Sequence, residues 1–352
     1  MTSTCRSVGA TSDRLRAPMP LFRTDPRTGP PAPVSTGHLP PIEQVRAVLG
    51  DAHSLYRADR GGTVAGTVTD IDRFGASVSS VSGQRVDAGA ATDEFPLLRI
   101  SAVFVFAIVC DAIGGEPARQ LVGAINSDQS ADSANGNERV SDSLSTALAG
   151  RGALTTTSAV PAANAEERWE RIRAALSAFA GRPLALDLAV YASTSASNRR
   201  NREVAELLAD AGRLGADPAE TTDVFTKQRS LSVNCRDLSL MAATLAGGGV
   251  NPVTGEQVVS ADTCQHVLAL LATNGFREHS GDWLYEVGLP AGSATSGAII
   301  AVAPGKAGLA TFSPPLDAAG ISVRGQLLTK YVAERLGLNV FKSAAGAPAT
   351  EV

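Results

Sequence analysis

Apolar residues cluster most densely between Phe95 and Gly114 (FPLLRISAVFVFAIVCDAIG), where nine in a row, Ala102 to Cys110, carry no charged or hydroxyl group. The run and its flanks make about four helical turns and end at Gly114-Gly115, a helix-stopping pair. A helix that is apolar on every side is buried on every side. The stretch therefore predicts the central helix of a core, with Arg99, Ile100 and Ser101 in its first turn. It is too short for a bilayer, which needs about 20 apolar residues.

Amphipathic spacing predicts further helices over 40–56 (Ile42, Val45, Val48 and Leu49 on one face), 164–180 (Trp169, Ile172, Ala175 and Leu176), 198–208, 235–245, 260–271 and 322–336. Gly181, Gly212 and Gly337 close three of them, and Ser260 is placed to cap a fourth. Strand-like runs at 74–81 and 84–88 flank Ser82-Gly83, and runs at 298–303 and 309–312 flank Pro304-Gly305, so each pair reads as a hairpin. Strands near both ends with helices between them predict an α+β fold, an antiparallel sheet flanked by helices with an inserted helical subdomain. Sheet segments are expected at about 37–98 and 285–341, with the helical part at about 99–284. Residues 1–36, rich in Pro, Ser, Thr, Gly and Arg, read as a disordered tail. Residues 342–352 read as a second tail, and the polar stretch Ser127–Ser145 as an exposed loop.

Composition narrows the chemistry. A net charge of −4 gives no reason to expect nucleic acid or an acidic membrane as partner. Four scattered cysteines (5, 110, 235, 264) without CxxC spacing suit reduced thiols in a cytoplasm, and the four histidines (38, 53, 266, 279) lack metal-binding spacing. No metal or other cofactor is expected. Only four of the 31 basic residues are lysines: Lys227, Lys306, Lys330 and Lys342.

The C-terminal third carries a specific set of motifs: Asp237-Leu238, Thr244 to Gly249, Asn251-Pro252, Thr254-Gly255, Gly281-Asp282-Trp283, Val287 to Ala291, Pro304 to Gly308, Ser313 to Asp317 and Ser322 to Gly325. With Ser35 to Pro40 and Phe74-Gly75, this pattern resembles the bacterial serine-dependent glutaminases of the β-lactamase-like superfamily over about residues 34–341. The resemblance implies a β-lactamase-like fold and an amidohydrolase converting L-glutamine to L-glutamate and ammonia. Such an enzyme needs Ser-x-x-Lys at a helix start, where a desolvated lysine three residues on activates the serine.

No such pair exists in this chain: the residues three before its lysines are Val224, Ala303, Leu327 and Asn339. The resemblance places the family's serine on Arg99 and its lysine on Ala102. It places a tyrosine on Phe225, and substrate contacts on Gly150, Thr194, Asn201, Arg277 and Thr295, of which only Asn201 keeps the family residue. Arginine is neither nucleophile nor base, because it stays protonated. The expected protein is thus a glutaminase-fold pseudoenzyme that binds a ligand or partner. The alternatives are an active amidase with another nucleophile, Ser101, Cys110 or Ser293 being the residues to weigh, and a structural subunit beside an active paralogue. Its expected partners are a small molecule (glutamine, glutamate or another carboxylate or anion) and further copies of the chain in a homo-oligomer. Exchange to Arg99 and Arg277 makes the pocket more positive and predicts an anion site, unless both arginines turn to solvent or pair with acids such as Asp93 and Glu278.

Overall fold

The architecture is a computed structural model that describes residues 37–64, 70–122, 148 and 150–342. The expected N-terminal tail, the Ser127–Ser145 loop and all of the C-terminal tail but Lys342 lie outside the described residues. A five-stranded antiparallel sheet forms the middle layer, in the order Arg85–Gly89, Gly75–Ser80, Ala307–Phe312, Ala298–Ala303, Ala291–Ser293. Both expected hairpins are present, and strands from the two ends of the chain meet where Gly75–Ser80 pairs with Ala307–Phe312. The fold is the expected α+β arrangement.

The run AIIAVA is apolar without interruption because the sheet is covered on both faces. Ala298, Ile300 and Val302 enter the core that holds the central helix. Ile299, Ala301 and Ala303 enter a second core under the helices Ile42–Tyr56 and Val323–Arg335. The period of two thus sorts one strand into two cores.

Helix Cys235–Ala246 lies directly on the sheet and needs small partners to do so. A Cβ on Gly308 would stand 2.2 Å from the Ser239 carbonyl oxygen and 2.3 Å from the Ala243 nitrogen. The seam is polar as well as tight. Ser239 Oγ is 2.8 Å from Ser79 Oγ and 3.0 Å from Ser77 Oγ, while Ser77 donates to Asp87 Oδ1 at 2.8 Å and Arg236 Nε reaches Asp87 Oδ2 at 2.7 Å. Buried hydroxyls at this seam satisfy one another instead of facing an apolar wall. Asn234 and Asp237 close a reciprocal capping box at the helix start.

The central helix begins differently from the expectation. Leu98–Ile100 form a 3₁₀ turn and the α-helix runs Ser101–Ile113, because Leu98 takes φ +47° and cannot join a regular α-turn. Its burial is as expected from Ser101 to Cys110, except that Ile108 is half-buried, and Gly114 at φ +90° ends it. Helices at Gly115–Val122, Gly150–Ser158, Leu188–Ser197, Pro218–Arg229 and Ser280–Glu286 were not legible from periodicity. Gly150–Ser158 (GRGALTTTS) shows why: its threonines are poor helix formers, yet all are buried. Thr156 and Thr157 donate back to the Gly152 and Ala153 carbonyls at 2.7 and 2.8 Å, so their hydroxyls tolerate a dry interior. Among the described residues no helix is long and apolar enough to cross a membrane.

Replacing Gly308 by valine should lower stability by about 3 kcal/mol or more, since the obstructing atoms are backbone on both sides. A urea melt tests this, and a midpoint equal to that of the parent chain would contradict the close seam.

Candidate active site

A cavity of about 250 Å³ opens beside the start of the central helix, lined among others by Arg99, Ser101, Ala102, Phe225, Arg229 and Arg277. Gly150, Leu148, Ala153 and Thr295 complete its wall. Of the positions singled out in the sequence, Arg99, Ala102, Gly150, Phe225, Arg277 and Thr295 therefore meet in one place. Thr194 and Asn201 are not in that wall. Thr194 belongs to helix Leu188–Ser197, none of whose residues is buried, and the Asn201 amide is spent on the Asn198 side chain.

Arg99 does not turn to solvent and pairs with no acid among the described residues, which corrects both alternatives for this residue. Its guanidinium donates to four backbone carbonyls: Leu148 at 3.1 Å through Nε, Gly275 at 2.8 Å and Ser293 at 3.4 Å through one terminal nitrogen, and Asn274 at 2.9 Å through the other. Asn274 and Gly275 end helix Ala261–Asn274, so the charge sits against the negative pole of that helix. Asp93, the suggested partner, is instead held by Arg73 at 3.0 Å. Burial pushes the Arg99 guanidinium down from its usual value to about 10, the charges of Arg277 and Arg229 push the same way, and Glu278 opposes them. At neutral pH it is still a cation.

Arg277 is exposed, takes φ +56° and donates to the Ala319 carbonyl at 3.1 Å. Leu98 and Arg277 are the two non-glycine residues at positive φ among the described residues, one preceding Arg99 and one in the cavity wall. Backbone strain of this kind, about 1–3 kcal/mol per residue, collects at sites. Arg229 was missed in the sequence. It lies four residues after Phe225 on helix Pro218–Arg229, and its guanidinium covers the Phe225 ring at 5.2 Å. The spacing that puts i and i+4 on one helix face was the available signal.

A family model for glutaminase matches residues 67–341. The chain belongs to the glutaminase family. Glutaminase 2 of Yersinia pestis is 44% identical over 315 residues, 88% of this chain and 93% of that one. Among solved structures, one described as "Probable glutaminase ybaS" superposes with a TM-score of 0.79 at 35% identity, covering 86% of this chain and 99% of its own. The Bacillus subtilis glutaminase YbgJ, solved as a covalent complex with 5-oxo-L-norleucine formed from 6-diazo-5-oxo-L-norleucine, superposes with a TM-score of 0.73 at 25% identity, over 85% and 99% of the two chains.

In this glutaminase-family chain none of the candidate replacement nucleophiles has a base beside it among the described residues of the cavity. Ser101 Oγ donates to the Leu98 carbonyl at 2.7 Å, and among the described residues no lysine, histidine or carboxylate is in the wall. Ser293 contributes its carbonyl to Arg99 and is not in the wall. Lys227, nearest in sequence, is paired with Asp223 at 2.8 Å. Cys110 lies outside the cavity wall, and burial raises its thiol to about 12. Cys264 is raised to about 12 by the same cause, and the buried Cys235 thiol is raised further.

Replacing Arg99 by methionine should destabilise the protein by about 2–3 kcal/mol, because helix-end carbonyls lose their donor. Lysine at that position should recover part of the loss, and an unchanged urea midpoint would contradict the brace. The thiols give a pH test. Above about pH 8.5 the unfolded chain sheds thiol protons that the folded chain keeps, so each thiol removes about 1.4 kcal/mol of stability per pH unit. Unfolding free energy should therefore fall between pH 8.5 and 10, and a Cys110→Ala, Cys235→Ala, Cys264→Ala variant should flatten that slope. An equal slope in the variant would contradict the assignment.

Proposed function

We propose that this glutaminase-family protein has lost hydrolysis and uses the family cavity to bind a small ligand. The observation that carries the reading is the role of Arg99. At the position where the family resemblance puts a reactive serine, a guanidinium is tied to four carbonyls. Ala102, where that resemblance puts the lysine, offers no base, and Phe225 offers no hydroxyl to relay a proton. In a triad hydrolase, loss of the nucleophile alone reduces turnover by about 10⁶.

The fold itself gives no reason for loss: cores, caps and close seams are intact. Selective exchange around one cavity, with retained packing, suits a protein kept for binding rather than one decaying throughout. Polar and charged groups in that cavity would then set affinity, as they do in other small-molecule sites.

Mass spectrometry after incubation with 6-diazo-5-oxo-L-norleucine tests the loss of catalysis, with Yersinia pestis glutaminase 2 as control. No covalent adduct on this chain is the expected result, and an adduct on Ser101 or Ser293 would overturn the reading. The pair Arg99→Ser, Ala102→Lys should also leave the chain unlabelled, because Phe225 and Arg277 still differ from the family pattern and catalytic groups acting as a unit are non-additive.

A further inference from the structure

Three arginines line one small cavity, and they are not equivalent. Arg99 is consumed by the backbone: four carbonyls take its donors. Arg277 gives one hydrogen bond, to the Ala319 carbonyl, and has donors to spare. Arg229 is half-buried, its guanidinium stands over the Phe225 ring at 5.2 Å, and that group makes no hydrogen bond or ion pair with any described residue. A guanidinium has five N–H donors in a planar fork. Leaving such a fork in a partly dry site without an acceptor is costly.

Among the described residues no aspartate or glutamate is in the wall to answer these charges. Among the described residues Glu278 is the acid whose field reaches Arg99, and it opposes two like-charged neighbours there. Burial also pushes the Arg229 guanidinium below its usual range, the mark of a cation short of counter-charge. An arginine stacked on an aromatic ring keeps its in-plane donors directed outward, which is the arrangement used for bidentate pairing with carboxylate or phosphate. Phe225 thus acts as a shelf for Arg229.

We infer that the cavity is a receptor for a compact dianion, gripped by the Arg229 fork and the spare donors of Arg277, with Arg99 as a fixed background charge. At about 250 Å³ the space lies below the roughly 300–1,000 Å³ of pockets that take drug-sized ligands, so the occupant is a small dicarboxylate or phosphate compound rather than a nucleotide. L-glutamine brings one carboxylate together with an ammonium and so no net negative charge, and is disfavoured. This deepens the ligand-binding reading and rests on it. Loss of hydrolysis is judged separately by adduct formation, so the two fail separately.

Calorimetry on the full chain with inorganic phosphate, 2-oxoglutarate and L-glutamine is the test. Phosphate or 2-oxoglutarate should bind, more weakly as salt rises, and at least about tenfold more tightly than L-glutamine, a gap of about 1.4 kcal/mol. Binding by phosphate alone assigns a phosphate compound, and binding by 2-oxoglutarate alone assigns a dicarboxylate. Arg229→Gln and Arg277→Gln should each weaken binding by about tenfold or more. Because Arg229→Gln could fail to fold, phenylglyoxal modification of the parent chain supplies a second readout: the bound anion should protect Arg229. No binding of either anion, tighter binding of L-glutamine, binding unchanged in the variants, or an Arg229 equally reactive with the anion present would each overturn the assignment.

Discussion

The guanidinium of Arg99 ties together the parts of the protein that make its cavity. It stands where a 3₁₀ turn becomes the buried central helix, and it reaches the end of helix Ala261–Asn274, the edge strand Ala291–Ser293 and the Leu148 backbone at once. Carbonyls at a helix end have no partner of their own helix. One arginine therefore closes a helix, an edge strand and a loop in a single contact set, and the positive charge is held by dipoles rather than by an acid. The same device recurs at Arg324, which is almost fully buried. Its guanidinium donates to the Ser313 hydroxyl at 2.7 Å and to the Ile71 and Arg73 carbonyls at 2.6 and 3.0 Å. In both places arginine serves as a backbone clamp, a use for which five fixed donors suit it better than lysine.

The clamp at Arg99 matters because the surrounding scaffold is tight. Gly308 lets helix Cys235–Ala246 approach the sheet to a distance no side chain would permit, and the serine seam keeps that approach satisfied. Phe95 stacks on Phe312 at 4.0 Å between ring centres, which joins the segment before Arg99 to the sheet. Phe104 meets Phe179 at 4.9 Å, which fixes the central helix from the other side. Cavity residues are thus presented by packed elements, and Arg99, Arg229 and Arg277 are the charged side chains among the described residues of the cavity wall.

Much of the fold was legible in the residues. The apolar run before Gly114, the unbroken apolar run AIIAVA and the glycine and serine caps correspond to packing that any chain of that pattern must satisfy. The helices that escaped notice are those whose propensity is weak and whose stability is tertiary, as at Gly150–Ser158 with its three buried threonines. At the cavity, sequence resemblance marked Arg99 and Arg277 but could not say what each touches. Arg99 was read as an anion receptor at a helix start, whereas its donors are already spent on the end of another helix. Arg229 is not a position that the resemblance marks, and only the folded helix shows its guanidinium over Phe225 in the wall. Thr194 and Asn201 lie outside that wall, because which residues line a cavity depends on tertiary placement and not on motif order.

Ammonia release from L-glutamine, followed over hours at high protein concentration beside Yersinia pestis glutaminase 2, tests the central claim most directly. The account predicts release at the rate of buffer alone. Sustained turnover that survives repurification and disappears when Ser101 is replaced by alanine would contradict it.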